Sequence, residues 1–220
     1  MGVLDGRHVL ITGGGTGIGA AIAARLGRAG AALSLTGRRM SPLAKTAASL
    51  PRAKAIVADV TSEANMGAMV AAAHAAHGPI DILIANAGAA ECAPVARLDL
   101  AHWQRMLEVN LTGAFLSVKA VLTDLLRADA PLSRIVFIAS AAGLKGYPYV
   151  AAYCAAKHGV VGLARAAGEQ SQSTVSAISS GSMSRPCGLK RVRSARAASR
   201  DRPVLSAMFV TALSKSGVSV

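Results

Sequence analysis

The sequence predicts a doubly wound α/β fold of Rossmann type, a parallel sheet covered by helices on both faces. Two observations lead there. Short, almost continuous apolar runs alternate with alanine-rich helical stretches through most of the chain, and such runs belong to parallel strands buried on both faces. A glycine-rich segment also lies directly between the first apolar run and the first helical stretch. The 220 residues show no internal repeat, and a chain of this length fits one domain by the usual prior of roughly 100–200 residues.

The elements follow in order. Residues 9–11 form the first strand. From Gly17 the apolar residues Ile18, Ile22 and Leu26 fall four apart, which places them on one helix face. Gly30 closes that helix, as a C-terminal glycine does. Residues 32–36, 55–58, 80–85 and 135–139 supply four further strands. Residues 65–76, 101–110 and 113–126 read as helices between them.

Composition narrows the possibilities. With 52% hydrophobic and 16% charged residues, the chain is not of disordered type. No stretch of about 18 residues is purely apolar, so no membrane span is expected. The first residues lack a signal-peptide pattern, and Gly6 stands where a myristoylation motif needs Ser or Thr. Cys92, Cys154 and Cys187 are odd in number and form no CxxC, so neither a disulfide framework nor a zinc site is expected. The five histidines show no metal-binding spacing, and no metal is proposed. These features fit a reduced, cytoplasmic protein.

The net charge of +13 is unevenly spread. Residues 1–167, which hold the alternating strand and helix patterns, read as one domain and carry +7. Residues 168–220 carry +6 and 13 of the 20 serines, an atypical basic C-terminal segment.

Thr12-Gly13-Gly14-Gly15-Thr16-Gly17-Ile18-Gly19 occupies the first strand-to-helix crossing. Glycines there allow a tight turn and let backbone N–H groups approach a pyrophosphate, and the helix N-terminus adds unpaired donors. A plain flexible turn is the alternative, and the strand–helix context argues for nucleotide binding. An NAD site places an acid about 20 residues on, to accept from the ribose 2′-OH. Here no acid occurs between Asp5 and Asp59, and the second strand ends in Gly37-Arg38-Arg39. Two guanidiniums suit a 2′-phosphate. NADP(H) is therefore favoured, with NAD(H) kept as the alternative in which both arginines are solvated surface residues.

Tyr153 and Lys157 fall four apart in a helical stretch and share one face. A phenol near pKa 10 is a poor proton donor and acceptor at neutral pH. A neighbouring ammonium would lower that value and make the tyrosine a usable acid/base. Ser140 ends the fifth strand at the carboxyl edge, where its hydroxyl can meet a substrate carbonyl oxygen.

Residues 4–167 resemble the short-chain dehydrogenase/reductase family. The resemblance rests on the residue 12–19 loop, Asp59-Val60, Asn86-Ala87-Gly88, Asn110, Ser140, and Tyr153 with Lys157. It implies that Asp59 and Val60 contact the adenine, and that Asn86, Ala87 and Gly88 line the cofactor. It also implies a tetrad of Asn110, Ser140, Tyr153 and Lys157. In that tetrad Tyr153 moves the substrate proton, Lys157 also binds the nicotinamide ribose, and Asn110 holds a water. Hydride then passes between nicotinamide and a carbonyl or secondary alcohol in a small-molecule substrate. Residues 144–150 resemble members acting on 3-oxoacyl or 3-hydroxyacyl thioesters. Tyr147, Tyr149 and Tyr153 form either an aromatic pocket wall or ordinary loop packing, and Cys154 packs as a small apolar residue. A homo-oligomer is the family's expectation.

The resemblance weakens after residue 167. Residues 174–181 echo a sixth family strand, with Ser176 and Ser180 replacing its Asn and Pro, and residues 211–220 faintly echo a seventh. The composition between them reads as a rearranged or frame-shifted segment, with residues 188–203 expected to be irregular and exposed. Two competing functions follow. One is a catalytically impaired nucleotide-binding protein without a formed substrate pocket. The other is nucleic-acid binding through residues 190–202, which hold six basic residues. That run has no aromatic for base stacking and belongs to no nucleic-acid module, which disfavours the second.

Overall fold

The computed structural model describes residues 2–127, 133–170 and 174–180. Six strands run through it: β1 (His8–Thr12), β2 (Ala32–Gly37), β3 (Ala53–Val57), β4 (Ile82–Ala85), β5 (Arg134–Ser140) and β6 (Thr174–Ser180). They form one sheet in the order β3-β2-β1-β4-β5-β6, and every described pairing is parallel. The order reverses between β1 and β4, so a crevice opens there at the carboxyl ends of the strands.

Strand alternation builds the two faces. Leu10, Leu83, Ile135 and Phe137 face one side and pack with Met66, Val121 and Val160. Val9, Ile11, Ile82 and Ile84 face the other and pack with Ala23, Leu35 and Leu43. The flanking helices are α1 (Gly17–Arg28), α2 (Met40–Ala48), α3 (Glu63–His77), α4 (Leu100–Leu107), α5 (Gly113–Leu125) and α6 (Ala151–Gln170). Gly30, with φ 96°, ends the α1 connection as expected. Ser62 caps α3 by accepting from the Asn65 N–H, which starts that helix two residues earlier than its apolar pattern suggests.

Three features depart from the sequence reading. Helix α2 was not foreseen, because Ser41-Pro42 resembles a loop and Leu43 is its one buried residue. Proline is compatible with a first helical turn, whose N–H groups have no intrahelical partner. The stretches 101–110 and 113–126 are not separate helices, since a π-turn over Glu108–Thr112 joins α4 to α5. Residues 174–180, despite the two serine replacements, pair with β5 from Arg134↔Thr174 to Ser140↔Ser180. The expectations for residues 188–203 and 211–220 lie outside the described residues.

The run Leu100–Leu125 has the length and apolar composition to cross a membrane. In this fold it lies on the sheet, with Ala114, Val121 and Leu125 buried in the core, and a core helix has the same composition. Cys154 is a buried free thiol.

A polar cluster closes the amino-terminal edge of the sheet. The buried His8 backbone N–H donates to Asp81 Oδ2 at 2.9 Å. His8 Nδ1 lies 2.8 Å from the Gly78 carbonyl, so that nitrogen carries the proton. Nε2 then accepts from Ser34 Oγ at 2.9 Å. The His77 ring meets His8 edge-on at 5.2 Å, and Asp81 Oδ1 pairs with Arg127 at 3.5 Å. Burial holds His8 below the ordinary histidine value, with the His77 charge acting in the same direction and the Gly78 and Pro79 carbonyls opposing. The unfolded chain therefore takes up this proton first as pH falls, and the stability His8 contributes is lost below about pH 6.5. Urea denaturation at pH 7 and pH 5 should show a drop in stability on acidification that His8→Gln makes smaller.

Candidate active site

The crevice above β1 and β4 is a cleft of about 150 Å³. Gly13, Gly15 and Thr16 form one wall, Arg38 and Arg39 the rim, and Asp59, Val60, Ala87 and Gly88 the side facing the central strands. The cleft is completed by Gly37, Pro42, Leu43, Ala58 and Val109, none of which the sequence reading singled out. These five supply backbone and aliphatic surface, so no chemical motif marks them.

The remaining loop residues act beneath the cleft. Thr12 Oγ1 accepts from the backbone N–H of both Asn86 and Ala87, each at 3.0 Å. Asn86 Nδ2 donates back to the carbonyls of Thr12 at 2.9 Å and Gly13 at 3.2 Å. These bonds tie the ends of β1 and β4 together. A Cβ at Gly13 would come within 2.8 Å of Asn86 Nδ2, and one at Gly19 would collide with the Gly13 carbonyl. The loop is thus packed as tightly as glycine permits. Gly17 and Ile18 begin α1, whose cap residue Thr16 makes no side-chain cap bond and whose first turn holds no acid. Backbone donors, a positive dipole end and a close-packed glycine turn fit the pyrophosphate of a dinucleotide.

At the rim, Asp59 Oδ1 accepts from the Thr61 N–H at 3.0 Å and from its hydroxyl at 2.8 Å. The Thr61 backbone bond, the Thr61 hydroxyl and the Arg38 guanidinium hold Asp59 below the usual carboxylate range, although partial burial works in the opposite direction. The cleft edge therefore presents two arginines beside one ionised and already engaged carboxylate.

The four tetrad candidates meet behind Gly88. Asn110 is buried within the π-turn. Its Nδ2 donates to the carbonyls of Ala89 at 2.8 Å and Met106 at 3.0 Å, while Oδ1 accepts from the Ala89 N–H at 3.3 Å. A Cβ at Gly88 would stand 2.7 Å from Asn110 Oδ1 and 3.7 Å from Lys157 Nζ. Gly88 therefore brings the cofactor cleft against both residues.

Tyr153 and Lys157 lie on α6, with the ammonium 5.7 Å from the tyrosine ring centre. Lys157 Nζ donates to the Ile138 carbonyl at 2.9 Å, and burial pushes its pKa down to about 8. Burial raises the Tyr153 pKa and the neighbouring Cys154 adds to the rise, while the Ser140 hydroxyl opposes it. This differs from the sequence expectation of a lowered tyrosine, since desolvation dominates here. Ser140 Oγ also accepts from the Ala142 N–H at 3.2 Å.

A strap over residues 89–93 crosses this region, held at alternate residues. Ala89 is tied to Asn110, Glu91 pairs with Arg105 at 3.3 Å and His102 at 3.5 Å, and the Ala93 N–H donates to the Tyr149 carbonyl at 2.8 Å. Tyr149 has φ 66°, unusual for a residue with a side chain, and its ring is exposed. Tyr147 and Tyr153 instead pack with Ala142, Val150 and Cys154, so the three tyrosines divide between packing and exposure.

Comparison with known proteins agrees with this geometry. A family model described as short chain dehydrogenase matches residues 7–194. The 2-(S)-hydroxypropyl-CoM dehydrogenase 3 of Xanthobacter autotrophicus is 41% identical over 166 residues, covering 74% of this chain and 64% of that protein. The 2-dehydro-3-deoxy-L-rhamnonate dehydrogenase (NAD(+)) of a Sphingomonas species is 34% identical over 166 residues, covering 75% and 66%. The crystal structure of levodione reductase matches with a TM-score of 0.77 at 34% identity, over 80% of this chain and 71% of that one. The chain spans just under two thirds of the length of these two curated relatives. Proteins of this family use NAD(P)(H). With sheet order, glycine loop and family model in agreement, the chain belongs to the short chain dehydrogenase family.

Proposed function

We propose that this protein is an NADP(H)-dependent oxidoreductase that interconverts a small-molecule ketone or aldehyde and the corresponding alcohol. The observation that carries the reading is the junction at Gly88, where the nucleotide cleft abuts Asn110 and Lys157. A bound nicotinamide supplies or accepts the hydride. The chain's own residues handle the oxygen and the proton. Ser140 Oγ hydrogen-bonds the substrate oxygen as charge grows there. Tyr153 delivers the proton during reduction and takes it during oxidation. Lys157 offers positive charge to the developing phenolate and a donor to the cofactor. Asn110 orders the strap and the π-turn behind them. Arg38 and Arg39 receive the 2′-phosphate, and Asp59 and Val60 bound the adenine side. The likeness of residues 144–150 to members acting on thioesters supports 3-oxoacyl compounds as first substrates to try, and a homo-oligomer remains the family's expectation.

The direct test is steady-state oxidation of NADPH and NADH by the full chain against simple ketones and 3-oxoacyl thioesters. Turnover with NADPH preferred is the expected result, and no turnover with any carbonyl would sink the reading. Tyr153→Phe should still bind cofactor, with turnover lowered by about 10²–10⁴, the usual contribution of general acid–base catalysis. Fluorescence titration and single-turnover kinetics separate the two effects.

Replacing Arg38 by Asp removes a charge-assisted bond and should weaken NADPH by about 1.5–3 kcal/mol while easing NADH binding. Calorimetric titration of both cofactors measures this, and a wild type that already prefers NADH would place the arginines among solvated surface groups.

Lys157 gives a pH dependence. Above about pH 8 the free protein loses this proton, whereas an anionic cofactor favours the ammonium. Binding then takes up a proton, so cofactor affinity should fall as pH rises through that value. Titrations from pH 7 to pH 9.5 should show the fall in the wild type and a flatter profile in Lys157→Met.

A further inference from the structure

The turn between Ser140 and Tyr153 carries a cation that the proposed chemistry does not use. Lys145 is anchored from both sides of that pair. Its N–H donates to the Ala141 carbonyl at 3.2 Å, and its own carbonyl lies 3.9 Å from Cys154 Sγ. Its ammonium stands 5.0 Å from the centre of the Tyr147 ring. Tyr147 in turn packs in one apolar cluster with Tyr153, Ala142, Val150 and Cys154. The charge therefore sits over a ring that packs against the same small apolar cluster as Tyr153.

Among the described residues no carboxylate forms an ion pair with Lys145. The sequence holds no Asp or Glu between Asp129 and Glu169. Glu91, the acid of the strap, is already paired with Arg105 and His102. An exposed ammonium leaning on a π face keeps most of its hydration and its donors free for another anion.

We infer that Lys145 is a specificity residue, and that the preferred substrate is a carbonyl compound bearing an anionic group, a carboxylate, sulfonate or phosphate, remote from the reacting carbon. The carbonyl end reaches Ser140 and Tyr153, the intervening chain lies on Tyr147, and the anion meets the Lys145 ammonium. This assignment rests on the oxidoreductase reading above.

The test uses the full chain with NADPH and a series of methyl ketones of increasing chain length ending in a carboxylate, each beside its uncharged methyl ester. Sulfonate and phosphate analogues of the best length distinguish the anions. The wild type should favour the acid over the ester in kcat/KM by about tenfold, the size of one charge-assisted hydrogen bond. Added salt should shrink that preference. Lys145→Ala should raise KM for the acid by a similar factor, with kcat held and the ester little affected, and Lys145→Arg should restore the preference. Equal use of acid and ester by the wild type, or an equal change for both in Lys145→Ala, overturns the assignment while leaving the oxidoreductase reading intact. Failure to reduce any member of the series and every simple ketone overturns both.

Discussion

The seam between β1 and β4 is the constraint on which the site depends. At this switch point the two strands lead their chains to opposite faces of the sheet, which opens a crevice that no ladder bond closes. The Thr12 hydroxyl and the Asn86 amide bridge it with four hydrogen bonds at 2.9–3.2 Å. The bridge fixes the glycine turn that leaves β1 and the Ala87-Gly88 segment that leaves β4. Both cleft walls thus hang from one polar joint, and neither residue of that joint lines the cleft. A motif residue can therefore serve a binding site entirely through backbone geometry.

Electrostatics divides the molecule into regions with different demands. At the cleft rim, cations sit near solvent beside a carboxylate already satisfied by Thr61. Behind Gly88, Lys157 is buried with a single carbonyl partner in the bonds described, so removal from water governs its ionisation. At the far edge of the sheet, His8 is buried neutral among backbone carbonyls, Ser34 and Asp81. The same residue class is cheap to charge in the first place and costly in the other two, and burial decides the difference.

The fold was largely legible because the middles of its strands are mostly apolar, and because the glycine turn stands where a strand meets a helix. The proposed catalytic pair was also legible, since Tyr153 and Lys157 need a fixed spacing to share a helix face. Contributions made through shape were not. Leu43 and Val109 line the cleft with hydrocarbon that any core would contain. Helix α2 buries little and begins with a proline, so its periodicity was faint. The clasp of Glu91 by His102 and Arg105 joins residues distant in sequence, and no local pattern announces it. The rise of the Tyr153 pKa was missed for the same reason, because spacing reports a neighbour's charge but not the depth at which both groups lie.

The π-turn at Glu108–Thr112 has a consequence for how the long helix can vary. A wider backbone ring accommodates one residue more than the regular spiral would, so the residues beyond it keep nearly the angular phase of an unbroken helix. Deleting a single residue there would heal the spiral and improve its local bonding. It would also draw Asn110 out of the widened ring from which it holds Ala89 in the strap, while leaving Val121 and Leu125 over the sheet they cover. The rod is held slightly imperfect because it must serve two surfaces at once, the strap on one side and the core on the other. Changes in chain length within this segment should therefore be far less tolerable than changes of side chain on its solvent face.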